Sequence, residues 1–195
     1  MNRPLKIARI NFAANLAFST YYIVFGILST SEWLLSLGAY YLILSVVRFV
    51  VLERKEYETF ITRFSGWMLI ALSATFATTV ILSLLYNTAQ KFHMILMIAI
   101  AAYAFTKISL ATINLINSRH NASPAIITLR NISFSDALAS IFALQRGMLV
   151  SFEGMSENEI IIMNASLGSA IFILIFLLGI NLIRSKKVLF KTLNT

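Results

Sequence analysis

Long apolar runs separated by short polar breaks dominate the chain. Six of them, at about 7–29, 31–52, 64–86, 92–116, 124–150 and 160–183, each supply the roughly 20 residues that cross a bilayer core of about 30 Å at 1.5 Å per residue. Inside the runs the polar residues recur at helical spacing. The first has Asn11, Asn15, Ser19 and Tyr22, and the second has Tyr41, Ser45 and Arg48. The fourth has Tyr103, Lys107, Asn114 and Ser118, the fifth Ser133, Asp136, Ser140 and Gly147, and the sixth Asn164 and Gly168. Residues three, four and seven apart share one helix face, and in lipid a polar face belongs in the bundle interior. The pattern predicts an all-α integral membrane bundle of six transmembrane helices, paired as three antiparallel hairpins around a polar seam. A blander use of the same residues is adhesion between helices, where a hydrogen bond contributes about 0.6 kcal/mol.

Composition sharpens this picture. Of 195 residues 58% are apolar and 12% charged, whereas a soluble domain is about a quarter charged. The chain has no Cys and two His, which excludes disulfides, thiolate metal sites and a cysteine nucleophile, and leaves too few imidazoles for a metal cluster without carboxylate help. It also has no Gly-rich phosphate loop, no H-E-x-x-H or G-x-S-x-G motif and no paired catalytic carboxylates. The expectation is therefore a protein that is not an enzyme and that holds no cofactor or metal.

Charge sets the orientation. With the N-terminus inside, every one of the 16 Lys and Arg except Lys91, Lys107 and Arg146 falls in or beside a cytoplasmic segment, and the loop with Glu153 and Glu157 falls outside. The fifth run carries Arg130, Asp136, Gln145 and Arg146, yet it must span, because otherwise Arg184, Lys186, Lys187 and Lys191 would be translocated outward. Both termini are thus expected in the cytoplasm of a bacterial cell, with the protein multi-pass in its plasma membrane. The first run exceeds the 7–15 apolar residues of a signal peptide. The net charge of +8 faces anionic lipid at the inner leaflet and requires no nucleic acid. The connections are too short to fold separately, so residues 1–195 read as one membrane domain.

A repeat runs through the helices that enter from inside. Arg9, Ser19 and Leu28, then Arg63, Ser73 and Leu82, then Arg130, Ser140 and Leu149 share the spacing R-x9-S-x8-L. The closing segments 113–119 and 180–186 are offset by 67 residues, the same offset that separates Arg63 from Arg130. A common offset for both helices of a hairpin suggests an internal triplication and a pseudo-threefold bundle.

Two intramembrane charges stand out. Lys107 lies 14 residues before position 121 and Asp136 lies 15 residues after it, so on adjacent antiparallel helices they reach similar depth and can pair. An unpaired charge at a helix centre in lipid costs about 2.5–3.5 kcal/mol. Two readings stay open: an ion or substrate site, or an ion pair that fixes the register of two helices. Arg48 and Arg130 are read as interface anchors, and Arg146, near the outer end, as a snorkelling side chain or outer gate within reach of Glu32, Glu153 or Glu157. His93 and His120 fall at span edges, and Trp33, Trp67, Tyr57 and Tyr86 at interfaces. Ser123 and Pro124 form a start signal for the fifth helix.

The residues 39–45 with Arg48 and Phe49, Lys107 with Leu110, Ala111, Ile113, Asn114 and Leu115, Ser140 with Leu144, Gln145, Met148, Leu149 and Phe152, and Met163 with Asn164 resemble a family of uncharacterised polytopic membrane proteins of Gram-positive bacteria. The resemblance implies six spans and no settled activity, and it favours Lys107, Gln145 and Asn164 as candidates. Separately, Arg130, Phe134, Ser135 and Asp136 are similar to the R-x-x-x-F-S-D signature of bacterial and lysosomal potassium channels. In those channels the motif opens the first helix; here it opens the fifth and is followed by Ala137 rather than Gly.

The leading functional expectation is a small transporter or channel-like protein, or a substrate-binding membrane subunit, whose seam is lined by Asn15, Tyr103, Lys107, Asp136, Ser140 and Asn164, with Arg146 as outer gate. Its partners are the lipid bilayer and either further copies of itself or a membrane partner subunit. The alternative is a non-transporting scaffold, sensor or immunity-type protein that binds another membrane protein.

Overall fold

The computed structural model describes residues 3–53, 58–86, 94–117, 123–151 and 155–184. They form six helices: α1 (Arg3–Leu28), α2 (Glu32–Glu53), α3 (Glu58–Tyr86), α4 (Met94–Asn117), α5 (Pro124–Ser151) and α6 (Glu157–Arg184). Helices of 22 to 29 residues are about 33–44 Å long, enough to pass through a hydrocarbon core and emerge into the headgroups. Five are long and apolar enough to cross a membrane, and in α4 the corresponding apolar stretch is Ala104–Ile116. The protein is a helical membrane bundle.

Local chemistry sets the helix ends. α1 closes through a left-handed Thr30 (φ 49°), with Ser31 N–H donating to Gly26 O at 2.9 Å and Thr30 N–H to Ile27 O at 3.3 Å. This is the Schellman arrangement, which satisfies carbonyls that the helix leaves open. α5 begins at the Ser123-Pro124 signal, with Ile127 N–H donating to Ser123 O at 3.0 Å. α6 opens with a capping box: Glu159 N–H donates to Ser156 Oγ at 3.4 Å, while Ser156 N–H donates back to Glu159 Oε2 at 2.8 Å. α3 starts at Glu58, six residues before the apolar run at 64; a hydropathy boundary marks where lipid begins, whereas the helix continues into the interface.

The antiparallel pairs are α1 with α2, α4 with α5, and α3 with α6. The last two are nested rather than sequential, because α3 and α4 are not a principal packed pair among the described residues. Glycines explain why α3 takes α6. A Cβ at Gly66 would lie 2.9 Å from Gly179 O and 2.6 Å from the Ile183 side chain, and a Cβ at Gly179 would lie 2.9 Å from Gly66 O. The two backbones touch where neither residue has a side chain, the usual route to tight association in lipid. The α1–α2 contact is similar, with Ser19 Oγ donating to Gly38 O at 3.0 Å.

α5 packs against α2, α3, α4 and α6 and is the most buried helix. Its buried residues, including Thr128, Ile132, Ser135, Ala137, Ala139, Phe142 and Arg146, lie on all its sides, as expected of a helix enclosed by others. Phe142 meets Phe76 of α3 edge-on at 5.2 Å, and Phe76 meets Tyr40 of α2 at 5.7 Å. α5 is therefore the element that presents side chains to the interior.

Candidate functional site

Midway along α5, about 18 Å from its first residue, Asp136 joins three helices. Arg48 Nη2 of α2 donates to Asp136 Oδ2 at 2.9 Å, and Lys107 Nζ of α4 donates to Asp136 Oδ1 at 2.8 Å. Lys107 also donates to Ser140 Oγ at 2.8 Å, and Ser140 donates onward to Asp136 O at 2.9 Å. Ser140 is one helical turn from Asp136, so both face α4. One residue before the carboxylate, Ser135 O accepts from Tyr40 Oη at 2.9 Å, a second tie from α5 to α2.

The three charges differ in their surroundings. The Arg48 and Asp136 side chains are 1% and 2% exposed, whereas Lys107 is 19% exposed. The reason lies in α4. That helix packs mainly on α5, and its buried positions Met97, Ala104 and Ala111 recur every seven residues as a narrow stripe. Lys107 comes three residues after Ala104, at the stripe's edge, so its head reaches inward while its flank stays open.

Of the residues expected in the seam, Lys107, Asp136 and Ser140 come together. Asn15 of α1 and Asn164 of α6 are buried on other helices, and Asn15 Nδ2 and Asn164 Oδ1 have no hydrogen-bond partner among the described residues. The Tyr103 side chain lies outside the described residues, as do those of Trp33 and Tyr86 and the whole of Tyr57, His93, His120 and Glu153. Gln145 Nε2 donates to Met163 O of α6 at 2.8 Å. Trp67 is exposed.

Three expectations need correction. Arg48 does not snorkel to the inner interface: it is buried and ion-paired, because α2 turns that face to α5 and the carboxylate there outweighs the few ångströms to the headgroups. Arg146 is likewise enclosed, at 1% exposure, because α5 has neighbours on every side and offers no lipid face along which its chain can climb. Asn114, placed on the polar face of α4, is exposed; it holds the same edge of the stripe as Lys107, seven residues on, but its short side chain does not reach inward as the lysine does. Arg130 makes a specific contact: its Nη1 donates to Asn114 O in the last turn of α4 at 2.7 Å.

Tyr40 has no polar periodicity to mark it, since it sits one residue off the Tyr41–Ser45–Arg48 row. Arg48 does lie on that row, so the row itself carried the signal. In the repeat, Ser19, Ser73 and Ser140 are all buried, while Arg9 and Arg63 are exposed and Arg130 is half-buried.

Comparison with known proteins returns no matching family model, no matching curated protein and no matching solved structure. The resemblances drawn from the sequence rest on their quoted residues alone.

Proposed function

We propose that the protein is a small six-span membrane transporter or channel-like protein, with both termini cytoplasmic, whose working site is the Arg48–Asp136–Lys107 cluster. One observation carries this reading. A carboxylate held by one cation is enough to fix helix register, and Arg48 already does so in a sealed position. Lys107 adds a second positive charge, part-exposed and at bilayer depth, where such a charge costs about 2.5–3.5 kcal/mol on insertion scales. An architectural pair has no use for that charge, whereas a site that receives or passes an ion does. Asn15 and Asn164 extend the polar lining in this reading, and Arg146 guards the outer end.

The test is flux from proteoliposomes loaded with potassium chloride, followed with potassium- and chloride-selective electrodes, for wild type and Lys107→Met. Wild type releases ions faster than protein-free liposomes, and the variant, folded by thermal melting, does not. Wild-type release at the protein-free rate overturns the proposal.

The alternative, a membrane protein that binds another membrane protein, is favoured by α1. That helix packs principally on α2 and leaves Phe18, Tyr21 and Phe25 outward, with Tyr21 and Phe25 stacked at 5.6 Å. Co-purification of one stoichiometric membrane partner, lost on replacing these rings with Leu, would support it.

A further inference from the structure

Three aromatic rings from three helices meet in one layer of the bundle. Among the described residues Tyr40 of α2, Phe76 of α3 and Phe142 of α5 are the aromatic side chains at 0% exposure. Phe76 lies 5.7 Å from Tyr40 and 5.2 Å from Phe142. The layer extends to α6, where a Cβ at Gly168 would stand 3.3 Å from the Phe142 ring and 2.7 Å from the Val80 side chain.

Polar side chains are buried on both sides of this layer. Toward the start of α5, Thr128 and Asn131 lie 14 and 11 residues before Phe142, about four and three turns back on the same face, and both are buried. Ser65 holds the matching place on α3, 11 residues before Phe76, at 0% exposure. On the other side α3 and α5 run parallel and α6 runs against them, so one turn beyond Val80, Phe142 and Gly168 come Ser83, Arg146 and Asn164. These are 2%, 1% and 2% exposed. Ser65 Oγ and Thr128 Oγ1 on the first side, and Asn164 Oδ1 on the second, have no hydrogen-bond partner among the described residues. Buried polar atoms of that kind favour water beside them, whereas a layer of ring carbon expels it. Along α5 the Asp136 carboxylate lies about 9 Å to the first side of Phe142, and Arg146 about 6 Å to the second.

We propose that Tyr40, Phe76 and Phe142 form a hydrophobic barrier between two polar halves of the bundle interior, each opening to its own face of the membrane, with the Asp136 cluster in the half that faces the termini. Phe142 is its central residue, on the helix that carries polar groups of both halves. The purpose of the barrier rests on the transport reading, which it deepens: an ion at the cluster exchanges with one face and reaches the other only past the rings.

Because the chain has no Cys, Asn131→Cys and Ser83→Cys each report one half. Silver ion in chloride-free buffer is applied to membrane vesicles of either sidedness, and a thiol that it reaches is lost to later labelling of the denatured protein by fluorescein maleimide. Asn131→Cys is blocked only from the face that carries the termini, and Ser83→Cys only from the opposite face. Adding Phe142→Ala makes each thiol reachable from both faces. Phe76→Ala opens the same layer from α3 with the same result, so the test does not depend on one variant folding, and Phe142→Leu keeps the one-sided pattern. Either thiol reached from both faces with the rings intact overturns the inference. So does a pattern that stays one-sided in both alanine variants, or a thiol that silver reaches from neither face in any variant. Potassium chloride flux of the wild-type protein separates the two claims: absence of flux beside the expected labelling removes the transport reading and leaves the barrier standing.

Discussion

Asp136→Asn is the most damaging single change the cluster admits, and the charges say why. The amide keeps the shape but removes the negative charge that two cations contact at 2.9 and 2.8 Å. Taking one partner from a buried ion pair costs about 3–5 kcal/mol. Lys107→Met replaces a part-exposed cation with an apolar chain of similar length and leaves Arg48 on Asp136. Its stability should stay within about 1 kcal/mol of wild type. The informative sample is the double variant Lys107→Met/Asp136→Asn. An isolated Lys–Asp pair would be repaired by removing both members, but here Arg48, 1% exposed, loses its carboxylate in the double variant as in the single. It should remain about 3 kcal/mol or more below wild type, which is roughly 6–12 °C in melting temperature for a chain of this length. Thermal melting in one detergent decides the matter. Recovery of the double variant to within about 1 kcal/mol of wild type, with both single variants lowered, would refute the three-charge account and restore the simple pair.

Further expectations follow from the packing and the helix ends. Gly66→Ala places a Cβ 2.9 Å from Gly179 O and 2.6 Å from Ile183 and should lower stability by about 1–3 kcal/mol, read as an earlier denaturation in sodium dodecyl sulfate; unchanged resistance would mean that α3 and α6 are less closely apposed. Tyr40→Phe removes the hydroxyl that donates to Ser135 O and should cost about 0.5–1.5 kcal/mol, measured by thermal melting, with little loss if the bond does not form. Thr30→Gly relieves a β-branched residue at φ 49° and should raise stability by about 1 kcal/mol, whereas a fall in melting temperature would argue against the left-handed turn. Ser156→Ala breaks the α6 capping box and should cost about 1 kcal/mol; hydrogen exchange should then rise in the first turn of α6 and nowhere else.

The helices were legible because a bilayer imposes both a length and a satisfied backbone on every crossing segment, and those demands act locally on the sequence. α5 shows where local reading weakens. Its Arg130, Asp136, Gln145 and Arg146 make it the least convincing span by hydropathy, yet it is the most enclosed helix, because residues that lipid would reject are received by α2, α4 and α6. Depth was legible too. Counting residues from position 121 places Lys107 and Asp136 at one level, and they meet there.

Rotation was legible only in part: the Tyr41–Ser45–Arg48 row marks the face that α2 turns inward, but not the carboxylate that meets it. Whether Arg48 climbs to the headgroups or turns inward depends on which face α2 gives to α5, a tertiary fact that its distance from the helix end does not contain. The nesting of α3 with α6 is hidden for the same reason: Gly66 and Gly179 are ordinary in isolation, and their match exists only once the two helices are side by side. The α6 start, by contrast, is written openly as Ser156-x-x-Glu159, a signal that hydropathy passes over.

Because the chain contains no Cys, a single thiol can be installed at the cluster without background. Lys107→Cys removes the Lys107 cation, and aminoethyl methanethiosulfonate attaches an ammonium of nearly the original reach. Flux from salt-loaded proteoliposomes should be absent in Lys107→Cys and return after the reagent is added. Flux at the wild-type rate in unmodified Lys107→Cys would contradict the account, because the cluster would then work without the charge on which the account depends.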